Sequence, residues 1–94
     1  QIKIEGSVTG GQAGIVNEGI IGNALDSSSD ANTGIVITKS GSINSSRGRS
    51  GIVNQGNGSI TGEIKVENGA KVDGGITNTG SASISGDIVV ESGG

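Results

Sequence analysis

The 94-residue chain contains no proline, cysteine, methionine, histidine, phenylalanine, tyrosine or tryptophan. Without cysteine there are no disulfide bonds, and without cysteine and histidine the usual zinc ligands are missing. The same absences remove the histidine base and the cysteine nucleophile that many enzymes use. Apolar runs are far shorter than a membrane-spanning helix needs. We therefore expect this segment to have no enzyme activity, no cofactor, no metal site and no membrane insertion.

Charge is also sparse, with six basic and nine acidic residues and a net charge of −3. These residues are scattered singly, so the sequence lacks the basic stripe that is typical of nucleic-acid-binding proteins. The one basic cluster contains Arg47 and Arg49. We expect no nucleic-acid partner.

The residues that are abundant are glycine and branched aliphatics, with 20 Gly, 14 Ile and 8 Val. Branched side chains favour strands and lower helix propensity. A chain rich in Gly, Ser and Asn could instead be disordered. The even spacing of the isoleucines argues against disorder and for repeated short strands.

The chain repeats a short apolar triplet. Gly-Ile-Val or Gly-Ile-Thr begins at Gly14, Gly34, Gly51 and Gly75, and three of these triplets are followed by Asn-x-Gly. A second apolar position follows each triplet, and a further segment reads Ile-x-(Ile/Val)-Glu. A repeat of 17–24 residues with short strands predicts a solenoid, in which each unit stacks on the next.

The sequence thus predicts an all-β, right-handed parallel β-helix with three short strands per rung. The handedness follows from the strong preference for right-handed parallel crossovers. We expect residues 1–94 to form a single solenoid segment of four to five rungs, part of a longer β-helix. Inward-pointing side chains are expected to stack as ladders: Ile15, Ile35, Ile52 and Ile76; Ile21, Ile43, Ile60 and Ile84; and Ile64 with Ile88.

Asn17, Asn54 and Asn78 are predicted to form a further ladder at one corner. Such a row is either a binding face or a set of amides that bond to each other and to the turn, and the turn mechanics favour the second reading. Glycine and asparagine are placed at corners because the chain must turn there with positive φ.

The strings GIVNEG, GIVNQG and GITNTG, followed by GSITG or SISGDI, resemble the passenger-domain repeats of Gram-negative autotransporters. Those repeats typically read Gly-Ile-x-Asn-x-Gly-x-Ile-x-Gly. The resemblance covers essentially the whole chain and implies a secreted right-handed β-helix displayed at the cell surface, often in adhesins and biofilm factors.

Two segments are candidate adhesion loops, one with Asp26 and Asp30 and one with Arg47 and Arg49. The aspartates flank serines and could bind Ca²⁺, but the EF-hand pattern is absent, which favours a simple surface loop. Glu5, Glu67 and Glu91 recur with the repeat, so they are read as an outward acidic row rather than a catalytic pair.

We expect a structural role, that of a rigid spacer or display scaffold, extracellular or at the bacterial outer cell surface. The expected partners are neighbouring rungs of the same or an identical chain, together with a surface glycan or protein. Two alternatives stay open: a self-assembling extracellular fibre or biofilm matrix subunit, and direct adhesion through the corner loops.

Overall fold

A computed structural model describes residues 1–22 and 32–94. All regular structure within these ranges is short β-strand, as expected for branched residues separated by glycine. The thirteen strands are β1 (Ile2–Ile4), β2 (Ser7–Gly10), β3 (Ile15–Asn17), β4 (Ile20–Ile21), β5 (Thr33–Ile37), β6 (Ser42–Ser45), β7 (Ile52–Asn54), β8 (Ser59–Ile60), β9 (Glu63–Val66), β10 (Lys71–Val72), β11 (Ile76–Asn78), β12 (Ser83–Ile84) and β13 (Ile88–Val90).

The strands form four parallel sheets, which we call faces A to D. Face A contains β1, β5, β9 and β13, and faces B, C and D each contain three strands. Face B is β2, β6 and β10, face C is β3, β7 and β11, and face D is β4, β8 and β12. The chain visits A, B, C and D in turn, so four strands make one coil. This arrangement is a parallel β-helix, or β-solenoid; its right-handedness stays a prediction.

The predicted coil was too short. Ile2, Ile35, Ile64 and Ile88 occupy equivalent positions on face A, so successive coils are 33, 29 and 24 residues long. Each coil has four strands rather than three. The described residues make three coils and one further strand, β13, in place of the four to five rungs predicted.

Two of the predicted ladders were also wrong in part. Ile35 stacks between Ile2 and Ile64 on face A, not between Ile15 and Ile52. Ile43 stacks between Val8 and Val72 on face B, not between Ile21 and Ile60. The error arose because the triplet at Gly34 has the same letters as the face C triplets although backbone pairing places it on face A. The observed ladders on faces C and D are Ile15, Ile52 and Ile76, and Ile21, Ile60 and Ile84.

The core is a column of branched side chains inside the coil. Its fully buried members include Ile35, Ile43, Ile52, Ile60 and Ile64, all with 0% exposure. The apolar residues of the first coil that pack on this column, and Val72, Ile76 and Ile84 on the other three faces of the third coil, are only partly buried. On face A of the third coil, Ile64 and Val66 are buried because β13 lies beyond them. Burial therefore peaks in the second coil, which has a coil on each side.

The corners use glycine but not asparagine for positive φ. Gly56 and Gly80, at matching corners after face C, have φ values of 62° and 68°. No described non-glycine residue has positive φ, and the three ladder asparagines end strands instead. The predicted corner role of asparagine thus belongs to its side chain rather than to its backbone.

Residues 1–22 and 32–94 contain no helix long and apolar enough to cross a membrane.

Candidate functional site

The asparagine ladder runs through all three coils at the end of face C. Asn17 Nδ2 donates to Asn54 Oδ1 at 2.9 Å, and Asn54 Nδ2 donates to Asn78 Oδ1 at 2.8 Å. Each side chain also bonds to a backbone carbonyl of its own corner: that of Gly19 for Asn17 and that of Gly58 for Asn54. Every buried side-chain nitrogen and oxygen in the described part of the chain has a partner. The ladder therefore sets the register between coils while keeping buried amides satisfied.

The ladder has a direction, and it ends at Asn78. Asn17 and Asn54 each donate to the next coil, whereas Asn78 Nδ2 donates only to the carbonyl of Ala82, at 3.1 Å, among the described residues. Asn54 is fully buried, and Asn78 is exposed. An amide carries two N–H donors, so Asn78 presents a second donor at the open end of the third coil.

A concave space of about 600 Å³ adjoins this end, on the side of faces A, B and C. Its apolar lining includes Val72 and Ile76, ladder positions with no further strand beyond them among the described residues, and Val66, which β13 covers. Ile88 and Val90 of β13 form its other wall and are 48% and 58% exposed. Because β13 extends only face A, the end is a notch beside one strand rather than a flat surface.

A second groove, of about 360 Å³, lies on the outside of the coil along face C. Val16 and Val53, adjacent outward positions of β3 and β7, form part of its lining. Arg49 and Gln55 contribute polar groups, and Gln55 Nε2 donates to Glu18 Oε2 at 2.6 Å. The groove thus combines an apolar strip, an exposed guanidinium and an amide.

The structure places only part of the predicted adhesion loops. Arg47 and Arg49 are exposed in the turn between β6 and β7. This turn is anchored by Ser45, whose hydroxyl donates to the carbonyl of Gly11 at 2.8 Å and accepts from the Arg47 N–H at 3.2 Å. Only Arg49 lines the outer groove. Asp26 and Asp30 lie outside the described residues.

The acidic residues at the ends of face A contact basic or amide groups. Lys3 Nζ lies 3.8 Å from Glu5 Oε2, and Lys65 Nζ lies 4.0 Å from Glu91 Oε2 in the next coil. Glu91 Oε1 also accepts the backbone N–H of Asn68 at 3.2 Å. These are surface contacts of small energetic value. No group of three or more acidic side chains in residues 1–22 and 32–94 is placed to hold a metal ion.

The sequence interpretation missed both the notch and the groove. Each depends on which residues lie beside one another across coils, and that depends on the four-strand period. One signal was present: the triplet at Gly34 is followed by Ile37-Thr38-Lys39 rather than by Asn-x-Gly. This departure marks it as a face A strand.

A scan of protein-family models, a search of curated proteins and a search of solved structures each find no match to the chain.

Proposed function

We propose that this chain is a structural section of a β-solenoid in an extracellular bacterial surface protein, where it acts as a rigid spacer or display scaffold. The observation that carries the proposal is the continuous pairing between coils. All four faces join the three coils, and the asparagine ladder adds a chain of side-chain hydrogen bonds. The role is mechanical and involves no chemistry on a substrate.

The height of the stack indicates how it would serve as a spacer. From β1 to β13 there are three strand spacings, or about 14 Å. The longest dimension of the molecule is 37 Å. The unit is thus wider than its stack of coils is high. It can hold two objects apart only as one section of a taller stack. As a platform, in contrast, it displays loops at its corners without help from other sections.

The extracellular placement rests on the resemblance of the GIVNEG, GIVNQG and GITNTG repeats to autotransporter passenger domains. It is tested by antibody labelling of the source cells before and after permeabilisation. We expect labelling of intact cells. Labelling that requires permeabilisation would overturn the placement without affecting the mechanical role.

Rigidity can be tested by spin labelling, because the absence of cysteine allows clean attachment. Ile20 and Ser83 occupy equivalent outward positions two strands apart on face D. In the double variant Ile20→Cys, Ser83→Cys, we expect a narrow distance distribution for backbone positions about 10 Å apart. A broad distribution in a folded protein would contradict a rigid scaffold. Each singly labelled variant provides the control for unpaired spins.

Adhesion through the outer groove is a second candidate, favoured by the guanidinium of Arg49 beside the exposed strip that contains Val16, which is 49% exposed. An arginine next to apolar surface suits an acidic sugar, whose carboxylate or sulfate accepts paired N–H donors. An anionic oligosaccharide should bind the wild type and lose at least tenfold in affinity with Arg49→Ala. The matched control is Lys71→Ala, which removes an exposed cation on face B. Equal losses from both variants would indicate non-specific charge attraction instead.

A further inference from the structure

The corner between faces B and C differs in length from coil to coil. Backbone pairing fixes the equivalent positions on either side of it, which are Val8, Ile43 and Val72 before the corner and Gly14, Gly51 and Gly75 after it. The residues in between are 9–13 in the first coil, 44–50 in the second and 73–74 in the third. Because residues 73–74 complete the turn in the third coil, the solenoid itself does not require the longer corner of the second coil.

This longer corner carries both arginines of the chain on its exposed part. Arg47, Gly48 and Arg49 are all exposed. The guanidinium of Arg47 forms no ion pair with any described residue. An exposed arginine beside glycine and serine at the tip of a turn is the kind of site that proteases cleave.

The peptide bond between Arg47 and Gly48 is held only by local hydrogen bonds. The Gly48 N–H donates to the Ser45 carbonyl at 3.1 Å, and the Arg47 N–H donates to the Ser45 hydroxyl at 3.2 Å. A β-carbon on Gly48 meets nothing within 4 Å, so the space beside this bond is open. Loss of two local hydrogen bonds therefore frees the bond for a protease cleft, while the pairing between coils stays in place.

Other basic positions are held across coils. All six lysines and arginines of the chain lie within the described ranges. Lys3, Lys65 and Lys71 belong to paired strands. The Arg49 carbonyl packs so closely against Gly74 of the third coil that a β-carbon on Gly74 has no room. Cleavage after these residues requires neighbouring coils to separate.

The corner that contains Lys39 is exposed but is attached to the first coil. The Thr38 N–H donates to the Ile4 carbonyl at 2.9 Å, and the Ser40 hydroxyl donates to the Glu5 carbonyl at 2.8 Å. Both residues that flank Lys39 are thus bonded to another coil. Exposure alone does not make this corner equivalent to the arginine corner.

We propose that the Arg47–Gly48 bond is a processing site for a serine protease with an acidic specificity pocket, and that the cut protein keeps its fold as a complex of two fragments. The acidic pocket holds the Arg47 guanidinium. Water is the co-reactant: the bond from the Arg47 carbonyl carbon to the Gly48 nitrogen breaks, the carbon gains the hydroxyl, and the nitrogen gains the hydrogen. This inference does not depend on the proposed extracellular role.

The two fragments, residues 1–47 and 48–94, remain joined on every face. The first contains β1 to β6 and the second contains β7 to β13. Pairs across the cut are β5 with β9 on face A, β6 with β10 on face B, β3 with β7 on face C and β4 with β8 on face D. The 2.9 Å hydrogen bond from Asn17 to Asn54 also crosses it. Both fragments contribute fully buried isoleucines to the core: Ile35, Ile43, Ile52, Ile60 and Ile64.

Limited digestion of the whole folded chain with trypsin tests both parts of the proposal. Mass spectrometry under denaturing conditions should find residues 1–47 and 48–94 as the first products. Gel filtration should find one complex, whose native mass exceeds that of the uncut chain by one water. First cleavage after Lys39 or Arg49, or cleavage no faster than global unfolding, would overturn the processing site. Fragments that separate on gel filtration would overturn the two-fragment complex.

Matched glutamine variants identify the residue that the protease recognises. Arg47→Gln should slow the first cut at least tenfold, because the acidic pocket loses its cation. Arg49→Gln and Lys39→Gln, each of which removes another exposed cation, should be cut at the wild-type rate. Circular dichroism should be the same for all three variants, since these side chains are exposed. Equal slowing by Arg47→Gln and Arg49→Gln would contradict the assignment of the Arg47–Gly48 bond.

Discussion

The second and third coils have similar sequences, GIVNQGNGSI and GITNTGSASI over faces C and D, but different environments. Ile52, Ile60 and Asn54 of the second coil are all 0% exposed. Their counterparts Ile76 and Ile84 are half-buried, and Asn78 is exposed. The same residues in the same fold thus differ in burial because the second coil has a neighbour on each side. In a solenoid, position in the stack decides what a residue contributes to stability.

The largest effect is expected from a charge placed in the middle of this stack. Ile60→Asp buries a carboxylate between Ile21 and Ile84 with no partner, which should cost more than about 4 kcal/mol and unfold the chain. Ile84→Asp, at the same ladder position in the third coil, should cost about 1–2 kcal/mol because its carboxylate reaches water. Urea unfolding followed by circular dichroism measures both.

Thr61→Asp is the control for the first comparison, because Thr61 adjoins Ile60 in the chain and is not buried. It should change the free energy of unfolding by less than about 1 kcal/mol. Equal destabilisation by Ile60→Asp and Thr61→Asp would contradict the inward facing of Ile60.

The asparagine ladder should show the next largest difference between the coils. Asn54→Ala removes the acceptor of Asn17 and the donor to Asn78 inside the core, and should cost about 2–4 kcal/mol. Asn78→Ala removes an exposed end of the ladder and should cost less than about 1 kcal/mol. Chemical denaturation measures both free energies of unfolding. Similar losses from Asn54→Ala and Asn78→Ala would mean that the contribution of a ladder asparagine to stability does not depend on its burial.

A smaller difference is expected between two glycines that occupy equivalent positions before face D. A β-carbon on Gly58 would lie 2.4 Å from Asn54 Oδ1 and 2.6 Å from the Asn17 carbonyl oxygen, whereas one on Gly19 meets nothing within 4 Å. Gly58→Ala should therefore cost about 1–3 kcal/mol through overpacking. Gly19→Ala should change stability by no more than about 0.5 kcal/mol. Melting temperatures give the comparison, and a Gly19→Ala variant as unstable as Gly58→Ala would refute it.

The sequence was sufficient to predict the parallel solenoid and its ladders on faces C and D. There, Ile15, Ile52 and Ile76 are marked by the Asn-x-Gly that follows each triplet. On face A it predicted only the stacking of Ile64 with Ile88, which the strand pairing confirms. It was insufficient for the rest of faces A and B, because strands rich in isoleucine and valine fit any face equally well. Ile35 and Ile43 were misplaced for this reason. Coils of 33, 29 and 24 residues also give no fixed period from which the strand number could be read.

Neither the notch nor the groove could be predicted from the sequence. An exposed Val90 and a buried Val66 occupy equivalent positions in the repeat, and only the presence or absence of a neighbouring coil separates them. Local sequence specifies the strand, while the unpaired groups that make a binding surface are a property of the whole stack.

The four-strand coil is the central claim, and NMR contacts between backbone protons on neighbouring strands test it most directly. Parallel neighbours lie about 4.8 Å apart, close enough to give such contacts. We predict contacts of Val36 with Lys3 and Lys65, and of Val53 with Val16 and Thr77. Contacts of Val36 with Val16 and Val53 would instead establish a shorter, three-strand coil and contradict the four-strand arrangement.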